Sequence, residues 1–283
     1  MVRICMLLIV WCNCLAAVRA QEDSLQHTRW VTRALSVGTG PANVLDTYLT
    51  PLEYKGMGVR WMFENLRMTR LMQGNVSVQH MLQMSASYTH NPAQTAHMYA
   101  GLLNYSCALH YQFKVGEKLK LLAGPSLDLN VGGIWNRRNS NNPAQAKAYG
   151  GLGVSGMAIY RFRLLRYPFL ARYQVGLPVA GLLFSPEYGE SYYEIFSLHE
   201  GGRNVVFTSL HNQPSLRQML TMDFPLGRTT WRVGYVCDLQ QAEVHHLKWH
   251  SWSHDFTIGF VRDIYLMKRS SAKAPFRRHS FPF

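Results

Sequence analysis

Near the end of the chain His245, His246, His250 and His254 crowd together with Ser253 and Asp255. A serine, a histidine base and an acid are the parts of a nucleophilic hydrolase, and at a membrane rim such a site would attack lipid esters. Spacing works against the simplest version. Ser253 and His254 are adjacent in a stretch of period two, so their side chains point to opposite faces and cannot serve each other. A working pair would need His250 or a histidine from another loop. The rim candidates are therefore His245, His246, His250 and Ser253. As metal ligands His245, His246 and His250 lack a carboxylate at ligand spacing, so no metal or cofactor is expected. Gly150-Gly151-Leu152-Gly153 resembles a phosphate loop, but it lies within a strand pattern with no helix after it, which makes it a place of close packing.

A larger set of ionisable residues falls on one face of apolar-alternating segments: Arg60, Glu64, Lys120, Asp128, Arg172, Arg217, Asp223, Arg232, Asp238 and Asp255. Turned to lipid, the basic ones would cost about 2 to 4 kcal/mol each at mid-depth. Turned inward they can pair, and we expect a charge network that fills and cross-links a narrow lumen.

The elements that must position these groups are strands. Leu216, Gln218, Leu220, Met222 and Phe224 alternate with Ser215, Arg217, Thr221 and Asp223. Trp231, Val233, Tyr235, Cys237 and Leu239 oppose Arg232, Gly234 and Asp238, and Trp252, Phe256, Ile258, Phe260 and Ile264 oppose Ser251, Ser253, Asp255, Thr257 and Gly259. The same pattern is clearest over Val76–Thr89 and recurs in Met57–Glu64, Tyr99–Phe113, Leu119–Val131, Leu152–Phe162 and Phe169–Leu177, with a further strand expected over Arg29–Val37. Period two with one greasy and one polar face describes a sheet with oil outside and water inside. The fold class is all-β, an antiparallel transmembrane β-barrel behind an N-terminal signal peptide. Several strands exceed the roughly 10 residues that cross a bilayer, so the wall should extend beyond it. Gly38–Gly56, with Pro41 and Pro51, reads as a long connection, and Asn136–Ala144 as a polar loop. Leu183–Asn212 is ambiguous: if Ser191–Leu198 is a strand the barrel has twelve strands, and otherwise ten. Parity cannot choose, since either count leaves both termini in the periplasm.

Residues 1–20 have the form of a signal peptide: Arg3, an apolar core from Met6 to Val10, and small residues in Val18-Arg19-Ala20, with cleavage expected after Ala20. Residues 21–266 form the barrel, and 267–283 a basic tail with Lys268, Arg269, Lys273, Arg277 and Arg278, no acid and no alternation, expected to be disordered and dispensable for assembly. Beyond Ala20 no apolar run approaches the roughly 20 residues of a membrane helix. The formal net charge is +13. No nucleic-acid motif accompanies it, and an export signal argues against such a partner. Membrane lipids, phosphate-rich lipopolysaccharide and the barrel-assembly machinery are the expected partners; the sequence sets no oligomeric state. Cys107 and Cys237, the two cysteines outside the leader, lie on apolar faces of distant strands and should not bond.

Pro186-Glu187-Tyr188-Gly189, Tyr192–Leu198, His211–Arg217 and Leu247–His254 carry a resemblance to a known family. Over about Thr47–Tyr265 the chain resembles the exported domain-of-unknown-function family of Gram-negative bacteria that is presumed to form outer-membrane barrels. The resemblance implies a barrel in the cell outer membrane and implies no activity. Two classes of function fit: an envelope-structural or porin-like barrel passing small solutes, which the inward charges favour, and an outer-membrane hydrolase modifying lipid or lipopolysaccharide.

The closing hairpin permits a sharper expectation. With a turn at Pro225–Arg228, Phe224 pairs with Thr229. Arg232 then lies diagonal to Asp223 and Asp238 diagonal to Arg217, and both pairs should form inside, with Asp255 approaching the second.

Overall fold

The computed structural model describes residues 29–138, 143–164, 167–190, 192, 204–227 and 229–266. The expected leader, the basic tail and, apart from Tyr192, the stretch Ser191–Leu198 lie outside the described residues. Eleven strands follow in chain order: β1 Arg29–Asp46, β2 Thr50–Met68, β3 Val76–His90, β4 His97–Val115, β5 Leu119–Asn136, β6 Ala144–Leu164, β7 Tyr167–Phe184, β8 Val205–Ser209, β9 Leu216–Leu226, β10 Thr229–Val244 and β11 Leu247–Leu266. Every neighbouring pair is antiparallel. β11 pairs back onto β1 from Arg29↔Leu266 to Asp46↔Trp249, which closes the ring.

The barrel has ten strands because β7 divides one edge between two partners. Leu170–Gly176 pairs with β9, and Ala180–Phe184 pairs with the five-residue β8. A bulge between Leu152 and Gly153, which puts Val179 out of register, marks the changeover. Above β9 the wall is completed by short contacts to β10: Glu243 donates its N–H to the Asn212 carbonyl, and Ser215 Oγ donates to the Gln241 carbonyl.

Three sequence expectations are corrected. Gly38–Gly56 is no long connection: β1 runs on to Asp46 and β2 starts at Thr50, leaving a three-residue turn. Pro41 fits because its position pairs with Met57 on β2 but makes no ladder pair with β11, and Pro51 stands at a strand start. Gly40 beside it allows a close approach, since a Cβ there would lie 1.8 Å from the His254 carbonyl oxygen. The sixth strand starts at Ala144, eight residues before the first expected position, Leu152. The β9–β10 hairpin turns more tightly than expected. Only two residues separate Leu226 from Thr229, with Gly227 at φ +65°, the backbone that such short hairpin loops require. Pro225 stays in the strand opposite Thr230. The shift is two residues, so every side chain keeps its face, but the pairs expected on the diagonal lie directly opposite.

The outer wall is apolar. Val37, Met57, Trp61, Phe63, Leu129, Val131, Leu152, Val154, Tyr173, Leu182, Phe256 and Ile258 are all exposed, far more contiguous apolar surface than a protein in water carries. Aromatic rings gather at two levels. Near the strand ends that carry Arg29 and Leu266, Tyr160, Phe162, Phe169 and Phe224 stack in series, with Tyr111 against Phe113. Towards the far end Tyr88, Tyr99 and Trp135 form a second chain of contacts. From Tyr99 to Tyr111 along β4 is about 30 Å in height at a rise of ~3.3 Å per residue and a tilt of ~40°, the thickness of a bilayer's hydrocarbon core. Cys107 and Cys237 are both free on this wall, on β4 and β10.

Candidate functional site: the filled lumen

The inward positions of β2 read Arg60, Met62, Glu64 and Leu66, and those of β10 read Arg232, Val236 and Asp238 with Gly234 between. This alternation of charge and apolar bulk divides the lumen into layers. At the end that holds both chain-terminal strand ends, Leu66, Leu122, Met157, Ile159 and Leu170 form an apolar floor.

Above the floor lies the first charged layer. Glu64 accepts hydrogen bonds from Arg172 Nη2 at 2.8 Å and from Arg232 Nη1 at 2.6 Å, and Arg232 also grips Asp223 through Nε and Nη2 at 2.6 and 2.7 Å. Two arginines meet two carboxylates, so the layer is neutral, and each of the four side chains is 5% exposed or less. Fork-shaped guanidinium groups suit this geometry because one arginine can satisfy two carboxylates at once. Met62, Met81, Met219 and Val236 form the next, apolar layer.

The second charged layer turns on Arg60. Its Nε donates to Asp255 at 2.7 Å, its Nη1 to Asp238 and Gln83 at 3.1 Å each, and its Nη2 to Ser253 at 2.7 Å. Arg217 lies 3.2 Å from Asp238, donates to Asn104 at 2.7 Å, and stands 3.9 Å from Asp128. Asp255 thus joins the Arg217–Asp238 pair through Arg60 rather than by approaching it. A cavity of about 70 Å³ runs from this layer, at Asn104 and Asp128, past Met81, Met219 and Val236 to Gln79 and Gln174 beside the first layer, room for a few waters. Lys120 shares the inward parity of β5 at the floor end, away from the two layers.

A third ionic element has no counterpart in the sequence reading. Lys147 Nζ lies 2.9 Å from Asp46 at the far end, and stands 5.0 Å from the centre of the Trp249 ring. Val44, Tyr54, Met98, Ile134, Tyr149, Leu183, Val244 and Trp249 pack around it as an apolar cap. Lys147 stands in phase with Tyr149 and Gly151, so starting β6 five residues earlier would have placed it inward. After β7, Ser185, Glu190 and Tyr192 make contacts at this mouth. Tyr48 Oη donates to the Glu190 carbonyl at 2.7 Å, the Ala146 N–H donates to Tyr192 Oη at 2.6 Å, and His245 Nδ1 meets the Ser185 carbonyl at 3.2 Å.

The rim candidates do not converge. His245 and His246 form the two-residue turn between β10 and β11, at φ +52° and +60°. His250 is buried, stacked on Trp252 with ring centres 4.2 Å apart, and its Nε2 lies 3.3 Å from Asn43. Ser253 points into the lumen and belongs to the Arg60 layer, while His254 faces outward against Tyr235 at 2.6 Å. The serine–histidine contacts lie elsewhere. His110 Nε2 and Ser155 Oγ are 2.9 Å apart inside the lumen, but His110 Nδ1 has no hydrogen-bond partner, so no carboxylate orients that ring. Ser209 and His211 meet at 2.6 Å on the surface, two residues apart in one turn. Among the described residues no three His, Cys, Asp or Glu side chains group to hold a metal ion.

Among solved structures the chain is similar to the transport unit of the autotransporter AIDA-I from Escherichia coli (8% identity, TM-score 0.45, covering 88% of this chain and 94% of that one). It is also similar to the outer membrane protease OmpT from Escherichia coli (5% identity, TM-score 0.45, 86% and 99%). A third is the translocator domain of the autotransporter NalP from Neisseria meningitidis (12% identity, TM-score 0.37, 89% and 94%). No curated protein matches the chain. Residues 3–271 match the family described as "Protein of unknown function (DUF3316)", and the chain belongs to that family.

Proposed function

We propose that this protein is an outer-membrane β-barrel with a structural role in the envelope, its lumen sealed rather than open to solutes. The observation that carries this reading is the stacking of two buried ion layers between three apolar ones, capped by the Asp46–Lys147 pair. An aqueous pore needs a continuous wet path, and the apolar floor and the apolar cap close it at the two ends. The apolar outer wall supports membrane residence, and the shared end of β1 and β11 is the periplasmic side in this reading. Solute passage would require parting Arg60 from Asp255 and Asp238. The hydrolase alternative finds no support in the positions of His245, His246, His250 and Ser253. Purified protein in a planar bilayer should show no steady conductance, while heating shifts its gel mobility as for a folded barrel. Steady ohmic conductance of the folded protein would overturn the sealed-lumen reading.

A further inference from the structure

Outside the lumen, three arginines stand on the lipid-facing side of the wall. Arg33 on β1 and Arg262 on β11 are direct ladder partners, and Arg67 on β2 lies two residues beyond Asn65, the other ladder partner of Arg33. Like charges directly opposite each other destabilise a ladder. Among the described residues no carboxylate pairs with any of the three, and Arg67 Nε is buried without a hydrogen-bond partner. Arg262 instead lies over the Phe260 ring at 5.7 Å. The arrangement calls for an anion from outside the chain.

A groove of about 440 Å³ shows what form the anion takes. Arg33 and Arg262 stand at its end, and Leu35, Phe63, Leu82 and Phe260 line it towards mid-wall. Arg33 is four residues into β1 and Arg262 four from the end of β11, about 10 Å above the strand ends at ~3.3 Å per residue and a tilt of ~40°. That is headgroup depth, with the apolar groove running from it into the hydrocarbon. We infer that Arg33 and Arg262 hold the phosphate of an anionic phospholipid in the periplasmic leaflet, with the charge of Arg67 nearby on β2 and one acyl chain lying along Leu35, Phe63, Leu82 and Phe260. The occupant is a phospholipid and not lipopolysaccharide because the arginines sit at the end where both chain-terminal strands finish. This site rests on the membrane-barrel reading but not on the sealed lumen.

Native mass spectrometry of the detergent-purified full-length protein tests it, with phosphatidylglycerol, phosphatidylcholine and lipid A added separately. Phosphatidylglycerol should be retained in preference to the other two. Replacing two arginines by Arg33→Gln with Arg262→Gln should weaken retention by about thirtyfold, from ~fivefold per basic residue at a lipid surface. Arg33→Lys with Arg262→Lys should recover most of it. Heat-modifiable mobility reports whether each variant folds, and if the double variant does not, Arg262→Gln alone should lose about fivefold. Equal retention by wild type and a folded glutamine variant would overturn the site, as would equal retention of phosphatidylcholine. Arginine-dependent preference for lipid A would overturn the phospholipid assignment. A barrel that inserts and does not conduct, yet retains no phosphatidylglycerol, defeats this inference alone.

Discussion

Arg232 faces Asp223 directly across the β9–β10 ladder and, from the same guanidinium, reaches past β11 and β1 to Glu64 on β2, 168 residues away in sequence. One side chain thus locks a local register and ties two distant strands together. A one-residue slip of β10 would turn Arg232 and Asp238 to lipid and Trp231 inward, so the layer selects a single register.

Removing Arg232 leaves Asp223 and half of Glu64 buried without a countercharge. Arg232→Ala should destabilise the barrel by about 3 to 5 kcal/mol, the usual cost of breaking a buried pair from one side. Arg138→Ala, which among the described residues loses an exposed contact to Thr95, should change stability by less than ~0.5 kcal/mol. Urea unfolding in lipid vesicles measures both. Reversing the pair by Arg232→Asp with Asp223→Arg should fail to restore stability, because Glu64 would then face a second carboxylate. Equal midpoints for Arg232→Ala and Arg138→Ala would remove the layer from the account of stability.

The pair at the far end makes a different forecast. Lys147 and Asp46 are buried with Trp249 beside them and few other polar groups to take over. Asp46→Asn or Lys147→Met alone should cost about 3 to 5 kcal/mol, whereas both together should come within ~1 kcal/mol of wild type, since no charge is then left stranded. Asp46 also accepts the Tyr48 N–H at 3.1 Å, a bond the asparagine oxygen can keep. A double-mutant cycle on vesicle-inserted protein gives the coupling directly. Additive single effects would mean that the two charges do not depend on each other.

The sequence reveals the faces of this barrel better than its lengths and partners. Alternation sorted Arg60, Glu64, Arg172 and Arg232 to the inside because parity is a property of one strand. It could not show that Arg60 gathers Asp238 and Asp255, or that Glu64 takes arginines from both β7 and β10, because those contacts depend on barrel diameter. The early ending of β1 followed from treating Pro41 as a breaker. Its missing N–H falls where the β11 ladder makes no pair, and only the neighbouring strand shows that. Asp46 and Lys147 escaped notice because each stands at a strand end that glycine, proline and polar residues make look like a loop. The choice between ten and twelve strands turned on β7 serving β8 and β9 in succession, a division of one edge that leaves no mark in periodicity.

At Gly40 on β1 a Cβ would stand 1.8 Å from the His254 carbonyl oxygen and 2.8 Å from its carbon, both backbone atoms of β11. No side-chain movement can relieve that overlap, so Gly40→Ala must push β1 away from β11 where Gly40 and Pro41 already make no ladder pair with it. The seam joins the first strand to the last, so its opening exposes two long edges at once, and edge strands template aggregation. Gly101 on β4 is the matched control: a Cβ there meets nothing within 4 Å, and its wall position is exposed. Gly101→Ala should fold and shift on heating like wild type, with a stability change under ~1 kcal/mol from the strand preference of alanine over glycine. Gly40→Ala should fold poorly, with most of the protein at the unfolded mobility after refolding into vesicles. Heat-modifiable electrophoresis of the two variants side by side decides the matter. If Gly40→Ala closes as well as Gly101→Ala, the β1–β11 seam is looser than the 1.8 Å approach requires.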